Sequence, residues 1–159
     1  MAAQTSGESI RVRPYTTPDR DAVLALGERL VIGLAPWRDP AKMRDAARRW
    51  IEGDIARIGE TCAVLVAEEA TGQILGFVAV AHEVHFTGDE QAYVGELVVA
   101  RHAEGHGAGR ALMSAAEEWA RARGYRFVTL DTGAANVGAR AFYARLGYAE
   151  ESVKLVKPL

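Results

Sequence analysis

The sequence predicts an α/β fold: a single domain with a mixed central β-sheet flanked by helices. Two observations carry this. Short apolar runs rich in β-branched residues alternate along the chain with stretches whose apolar residues recur at helical spacing. Their order is strand, two helices, three strands, helix, strand, helix, strand, so a hairpin-built first half precedes a strand–helix–strand–helix second half. A third observation sets the domain count. A chain of 159 residues hides about two thirds of its unfolded surface, enough for one core and not for two.

Residues 1–9 read as a frayed tail ahead of a domain over 10–159. Ile10, Val12 and Pro14 alternate with Arg11 and Arg13, which suits a strand near a sheet edge. Thr17-Pro18-Asp19 starts a helix, with Thr17 as N-cap, Pro18 in the first turn and an acid facing the dipole. Val23, Leu26 and Leu30 then face inward. Asp39-Pro40 repeats the signal, and Met43, Ala47, Trp50, Ile51, Ile55 and Ile58 recur up to Gly59, with Gly53 a candidate break. Cys62 to Ala67 and Ile74 to Val84 read as hairpin partners across Thr71-Gly72, and Ala92 to Ala100 as a fourth strand. Ala108, Leu112, Ala115, Trp119 and Ala122 form one helical face that Gly124 ends. Phe127 to Asp131 is a strand, Ala135 to Leu146 a helix closed by Gly147, and Ser152 to Lys157 a last short strand.

Composition excludes several classes. Hydrophobic residues at 49% and charged residues at 25% are globular values, far from disorder. A net charge of −2 lacks the basic excess of a nucleic-acid binder. The single cysteine, Cys62, excludes an internal disulfide and thiolate metal clusters, and reads as a small buried apolar residue. The run Ile74 to Ala81 is too short to span a bilayer, and Met1 to Ser9 lacks the order of a secretion signal, so no membrane is expected and a cytoplasmic protein is.

Glu104-Gly105-His106-Gly107-Ala108-Gly109-Arg110 leads from the fourth strand straight into a helix. Three alternating glycines let backbone N–H groups converge on an anion, and the helix N-terminus adds about half a positive charge. A pyrophosphate is the natural ligand. A dinucleotide fingerprint would need a small residue where Arg110 or Leu112 stands, and no Gly-Lys-Ser/Thr P-loop occurs. The pattern that fits is Gln/Arg-x-x-Gly-x-Gly/Ala, matched from Glu104 to Gly109 except at its first residue. A second pattern, Asn-x-x-Ala-x-x-x-Tyr with a Gly-aromatic pair, stands as Asn136, Ala139, Tyr143 and Gly147-Tyr148. In these two motifs, in this order, the sequence resembles the GNAT superfamily of N-acetyltransferases, over about Ala92 to Tyr148.

The resemblance implies a GNAT-like fold and acetyl-CoA as co-substrate, with no metal. It implies a coenzyme site of Leu97, Val98, Val99, Gly105, His106, Gly107, Ala108, Gly109, Arg110, Asn136, Phe142 and Tyr143. The backbone of Leu97 to Val99 would meet the pantetheine amides if the neighbouring strand splays away, and Asn136 would hydrogen-bond the arm. Glu104 is odd beside a pyrophosphate and is expected to face solvent or pair with Arg101 or Arg110. Asn136 and Tyr143 lie seven residues, two turns, apart on one helix face. Tyr143 can protonate the leaving sulfur.

An alkylamine titrates near 10.4, so a group must accept its proton. Glu96, an acid in an apolar strand run, is the first choice for that base, directly or through water. His82, His85 and His102 are alternates. The acceptor pocket is expected between Val31 and Met43, the loop His85 to Gln91 and the last strand. Asp39, Asp89, Glu90 and Glu96 would make it acidic, with Trp37 a cation–π wall. The reading is an acetyl-CoA-dependent N-acetyltransferase acting directly on a primary amine of a small molecule or peptide. A non-catalytic acyl-CoA sensor and an interaction module with a structural glycine loop are the rivals, and a homodimer is left open.

Overall fold

The computed structural model describes residues 9–159; the expected tail lies outside them except for Ser9. Five strands form one sheet in sequence order: β1 (Arg11–Pro14), β2 (Cys62–Glu68), β3 (Ile74–Val84), β4 (Glu90–Val99) and β5 (Val128–Leu130). The first four pair antiparallel, and β5 joins β4 in parallel, so the sheet is mixed. Helices α1 (Arg20–Gly27) and α2 (Pro40–Ala56) cover one face through Val23 and Ile51, which meet Val64, Val66, Phe77, Ala79 and Val98. Helix α3 (Ala108–Ala122) covers the other face through Leu112, Met113 and Ala116 against Val78, Val80, Ala92 and Val94. Helix α4 (Val137–Arg145) adds Phe142 and Tyr143 to that second layer.

Three local details differ from the sequence reading. The first helical turn is capped one residue earlier: Asp19 accepts from the Thr16 amide at 2.7 Å and takes both guanidinium nitrogens of Arg13, at 2.7 and 2.9 Å. Asp19 is therefore a buried ion-pair partner, and Arg13 holds its carboxyl down at about 2. The α3 stripe is turned by one position, with Ala108, Leu112, Ala116 and Ala120 buried and Ala122 exposed, because small residues let α3 lie close on the sheet. Gly53 does not break α2, which runs unbroken from its Asp39 cap, yet Trp50 and Ile58 are exposed rather than inward.

The last strand does not form. Residues 149–159 carry no ladder, and Val153 and Leu155 are exposed. With only three residues in β5, the sheet edge offers a very short template there.

Two irregularities in β4 position the site. Its register against β3 shifts between Ala79–Glu96 and Val80–Val94, leaving Gly95 as an extra, bulged residue. Its pairing with β5 stops at Val94–Leu130, so among the described residues Leu97 to Val99 are paired only with β3.

Candidate active site

The bulge at Gly95 decides where Glu96 points. Strand parity alone would put Tyr93 and Glu96 on opposite faces. The extra residue restores them to one face, and both line a cavity of about 490 Å³ between α2 and the sheet. Asp54 and Arg57, at the end of α2, line it as well. Glu96 is 4% exposed and Asp54 7%. Among the described residues the buried Glu96 Oε2 has no hydrogen-bond partner, and burial together with the Asp54 carboxyl pushes Glu96 up to about 9. Asp54 is itself held by Arg57, and a β-carbon on Gly95 would stand 3.6 Å from Asp54 Oδ2. Gly95 and the α2 carboxyl are thus packed at ordinary contact distance.

The α3 end of β4 presents the second half of the site. Gly105 and Gly107 have φ of +77° and +96°, and a β-carbon on either would meet nothing within 4 Å. Glycine is needed there for conformation, and the space above the loop is open. The first-turn amides of Ala108, Gly109 and Arg110 have no carbonyl to donate to within the helix. His106 and Arg110 are exposed beside them. This cradle suits a pyrophosphate in geometry and charge. Gly109 serves packing instead: a β-carbon there would stand 3.3 Å from the Phe142 ring and 3.5 Å from Val99 Cγ2. Its absence lets α4 lie against the start of α3.

Tyr143 is half-buried between Phe142 and Tyr148, at 5.2 and 5.8 Å between ring centroids. Burial raises its phenol to about 12, so it holds its proton at any physiological pH. Asn136 caps α4: its Oδ1 accepts from the Ala139 amide at 3.2 Å and its Nδ2 donates to the Ile32 carbonyl at 3.3 Å. Both ends of that side chain are engaged with protein.

Several expected neighbours lie elsewhere. Glu104 pairs with Arg29, not with Arg101 or Arg110. His82 meets the Tyr125 hydroxyl at 3.0 Å, His85 meets Thr87 at 2.7 Å and His102 meets Gln73 at 3.3 Å. Of the four acids expected at the acceptor pocket, only Glu96 lines this cavity; Asp39 caps α2 and Asp89 accepts from Thr87. Trp50, rather than Trp37, stands at its edge. Cys62 is buried, its thiol pushed up to about 11 and bonded to the Asp54 carbonyl at 3.6 Å. Sequence reasoning misses Asp54, Arg49, Arg57 and Arg29. Asp54 has a signal: an acid falls at a core position, three residues after Ile51 in the apolar stripe of α2.

Among the described residues no group of three or more His, Cys, Asp or Glu side chains is gathered as a metal site requires, and no helix is long and apolar enough to cross a membrane. Residues 29–148 match the family model described as the acetyltransferase (GNAT) family. An uncharacterized N-acetyltransferase of Methanocaldococcus jannaschii is 39% identical over 89 residues, 54% of this chain and 38% of that protein. One of Bacillus subtilis is 34% identical over 90 residues, 56% of this chain and 60% of that protein. The matched stretch thus spans less than two thirds of either relative's length. The crystal structure of a GCN5-related N-acetyltransferase from Ralstonia eutropha shares the fold with a TM-score of 0.70 at 25% identity, over 95% of this chain and 99% of that one.

Proposed function

Because the chain belongs to the acetyltransferase (GNAT) family, we propose that it transfers the acetyl group of acetyl-CoA to a primary amine, directly and without an acyl-enzyme. One observation carries the reading. Glu96, with Asp54 of α2 beside it, and the open glycine cradle that follows β4 flank Leu97 to Val99, the part of β4 that β5 does not pair.

Acetyl-CoA would supply an acyl carbon activated as a thioester. The amides of Ala108, Gly109 and Arg110 hold its pyrophosphate against the positive end of α3. The unpaired edge of Leu97 to Val99 takes the amides of the pantetheine arm, and one of these N–H groups can stabilise charge on the acyl oxygen. Phe142 walls the arm, and Asn136 fixes the start of α4. The amine nitrogen bonds to the acyl carbon as the carbon–sulfur bond breaks. Of the two protons an ammonium must shed, one goes to Glu96 and on to solvent. The other replaces the proton that Tyr143 gives to the leaving sulfur, so an amide, a free thiol and one released proton result. Cys62 takes no part, since its thiol is buried and stays protonated.

The test is thiol release from acetyl-CoA over a panel of amines, beside calorimetric binding of acetyl-CoA. Turnover with at least one amine is expected. Tight binding without thiol release from any amine would favour an acyl-CoA sensor, and absence of binding would make the glycine loop structural.

A further inference from the structure

The cavity beside Glu96 has a buried acidic floor and a basic rim. Asp54 and Glu96 are the floor. Arg49, Gly53 and Arg57 follow at intervals of four along one stripe of α2 and its C-cap, and all three line the cavity. Gly53 has nothing within 4 Å of where its β-carbon would stand, which leaves space between the two arginines. Arg57 is committed to Asp54. Arg49 is exposed and makes no ion pair among the described residues, while Arg48 and Glu52 beside it pair with each other. Trp50, 50% exposed, adds a ring to the same rim.

The charges select an acceptor. Asp54 is balanced by Arg57. Glu96 lies buried against the Asp54 carboxyl, and burial and that neighbour both favour its protonated form, so the two carboxyls share one proton. Arg49 therefore leaves the cavity with one uncompensated positive charge. A diamine or a polycation would bring a second positive charge toward Arg49. A molecule with an anion opposite its amine would satisfy both ends. Asp54 and Arg49 line the same cavity, their backbone positions about 7.5 Å apart along the helix axis, which suits a compact molecule carrying both an amine and an anion. A guanidinium grips carboxylate and phosphate alike through its planar fork.

We propose that the acceptor is a small amine that also bears an anionic group, carboxylate or phosphate, with its ammonium on the Asp54–Glu96 floor and its anion on Arg49. The reactivity of that amine rests on the acetyl transfer proposed above; its binding does not.

Matched pairs test this: phenylalanine against phenethylamine for the carboxylate, and O-phosphoethanolamine against ethanolamine for the phosphate. Each is measured by thiol release with acetyl-CoA and by calorimetry with CoA present. At least one anion-bearing member should exceed the partner that lacks the anion by about tenfold or more in kcat/KM and in affinity, and which pair shows it identifies the anion. Arg49→Gln should then reduce that preference about tenfold, through KM rather than kcat, and Arg49→Lys should restore part of it. Equal use of both members in both pairs, or a preference untouched by Arg49→Gln, would overturn the proposal. If no amine releases thiol, acetyl transfer fails, and the calorimetric preference still decides what the cavity binds.

Discussion

Arg29, in the helical turn Glu28–Val31, pairs with Glu104 across 75 positions of sequence. Glu104 directly precedes Gly105, so the pair compensates an acid next to the glycine loop proposed to hold the pyrophosphate. Arg29→Ala should therefore weaken acetyl-CoA about three- to tenfold, a modest effect because exposed charges are screened by salt. Adding Glu104→Gln should return the affinity to the parent value. Calorimetry at low and physiological salt checks both. Equal weakening in the single and the double variant would show that Arg29 acts on the fold and not through Glu104.

Gly107 combines a φ of +96° with open space above it. A valine there costs about 1–2 kcal/mol of backbone strain and fills the volume over the first-turn amides. Gly107→Val should lower acetyl-CoA affinity by tenfold or more, about 1.4 kcal/mol, while circular dichroism reports an intact fold. Unchanged affinity in a folded variant would remove the loop from the coenzyme site.

Tyr143 holds its proton firmly and lies beside Phe142, which packs at the start of α3. If its hydroxyl serves only as the thiolate departs, Tyr143→Phe loses kcat and keeps acetyl-CoA affinity. Help of this kind is worth about 10²–10⁴, and the lower end is expected because a thiol of pKa about 8.5 leaves readily. Equal turnover by variant and parent would take Tyr143 out of the mechanism.

How much the sequence discloses depends on how local each signal is. The glycine cradle is legible because positive φ and an open approach are demands on single residues. The hairpin order is legible because the turns and the β-branched runs are contiguous. Arg29 meeting Glu104, and Asp54 meeting Glu96, are products of helix docking on the sheet, and no spacing rule connects them. The burial of Asp54 is readable only as a contradiction, an acid on an apolar stripe. The turned face of α3 escapes a hydrophobicity count because Trp119 outweighs Ala116 and Ala120, whereas close packing favours the smaller residues. The alternation at Ser152 to Lys157 reads as a strand, but a strand also needs an edge to pair with, and β5 is three residues long.

Glu96 makes two opposite demands that one substitution separates. Its folded carboxyl is raised from an ordinary value of 4.5 to about 9. The stability it contributes is therefore full below the unfolded value and is lost progressively as pH rises toward about 9. Glu96→Gln resembles the protonated form and escapes that loss, so its Tm should match the parent near pH 4.5 and exceed it increasingly up to about pH 9. Activity should move the other way. Parent turnover should climb about tenfold per pH unit and flatten once Glu96 ionises near 9, whereas the variant should climb until an ordinary amine loses its own proton near 10.4. Their rate ratio should stay nearly constant up to about pH 8 and shrink about tenfold between roughly pH 8 and 10. Thermal melts and pH–rate profiles with one identified amine measure both. A ratio that stays constant to about pH 10 would reject Glu96 as the base, even if the Tm gap opens as expected.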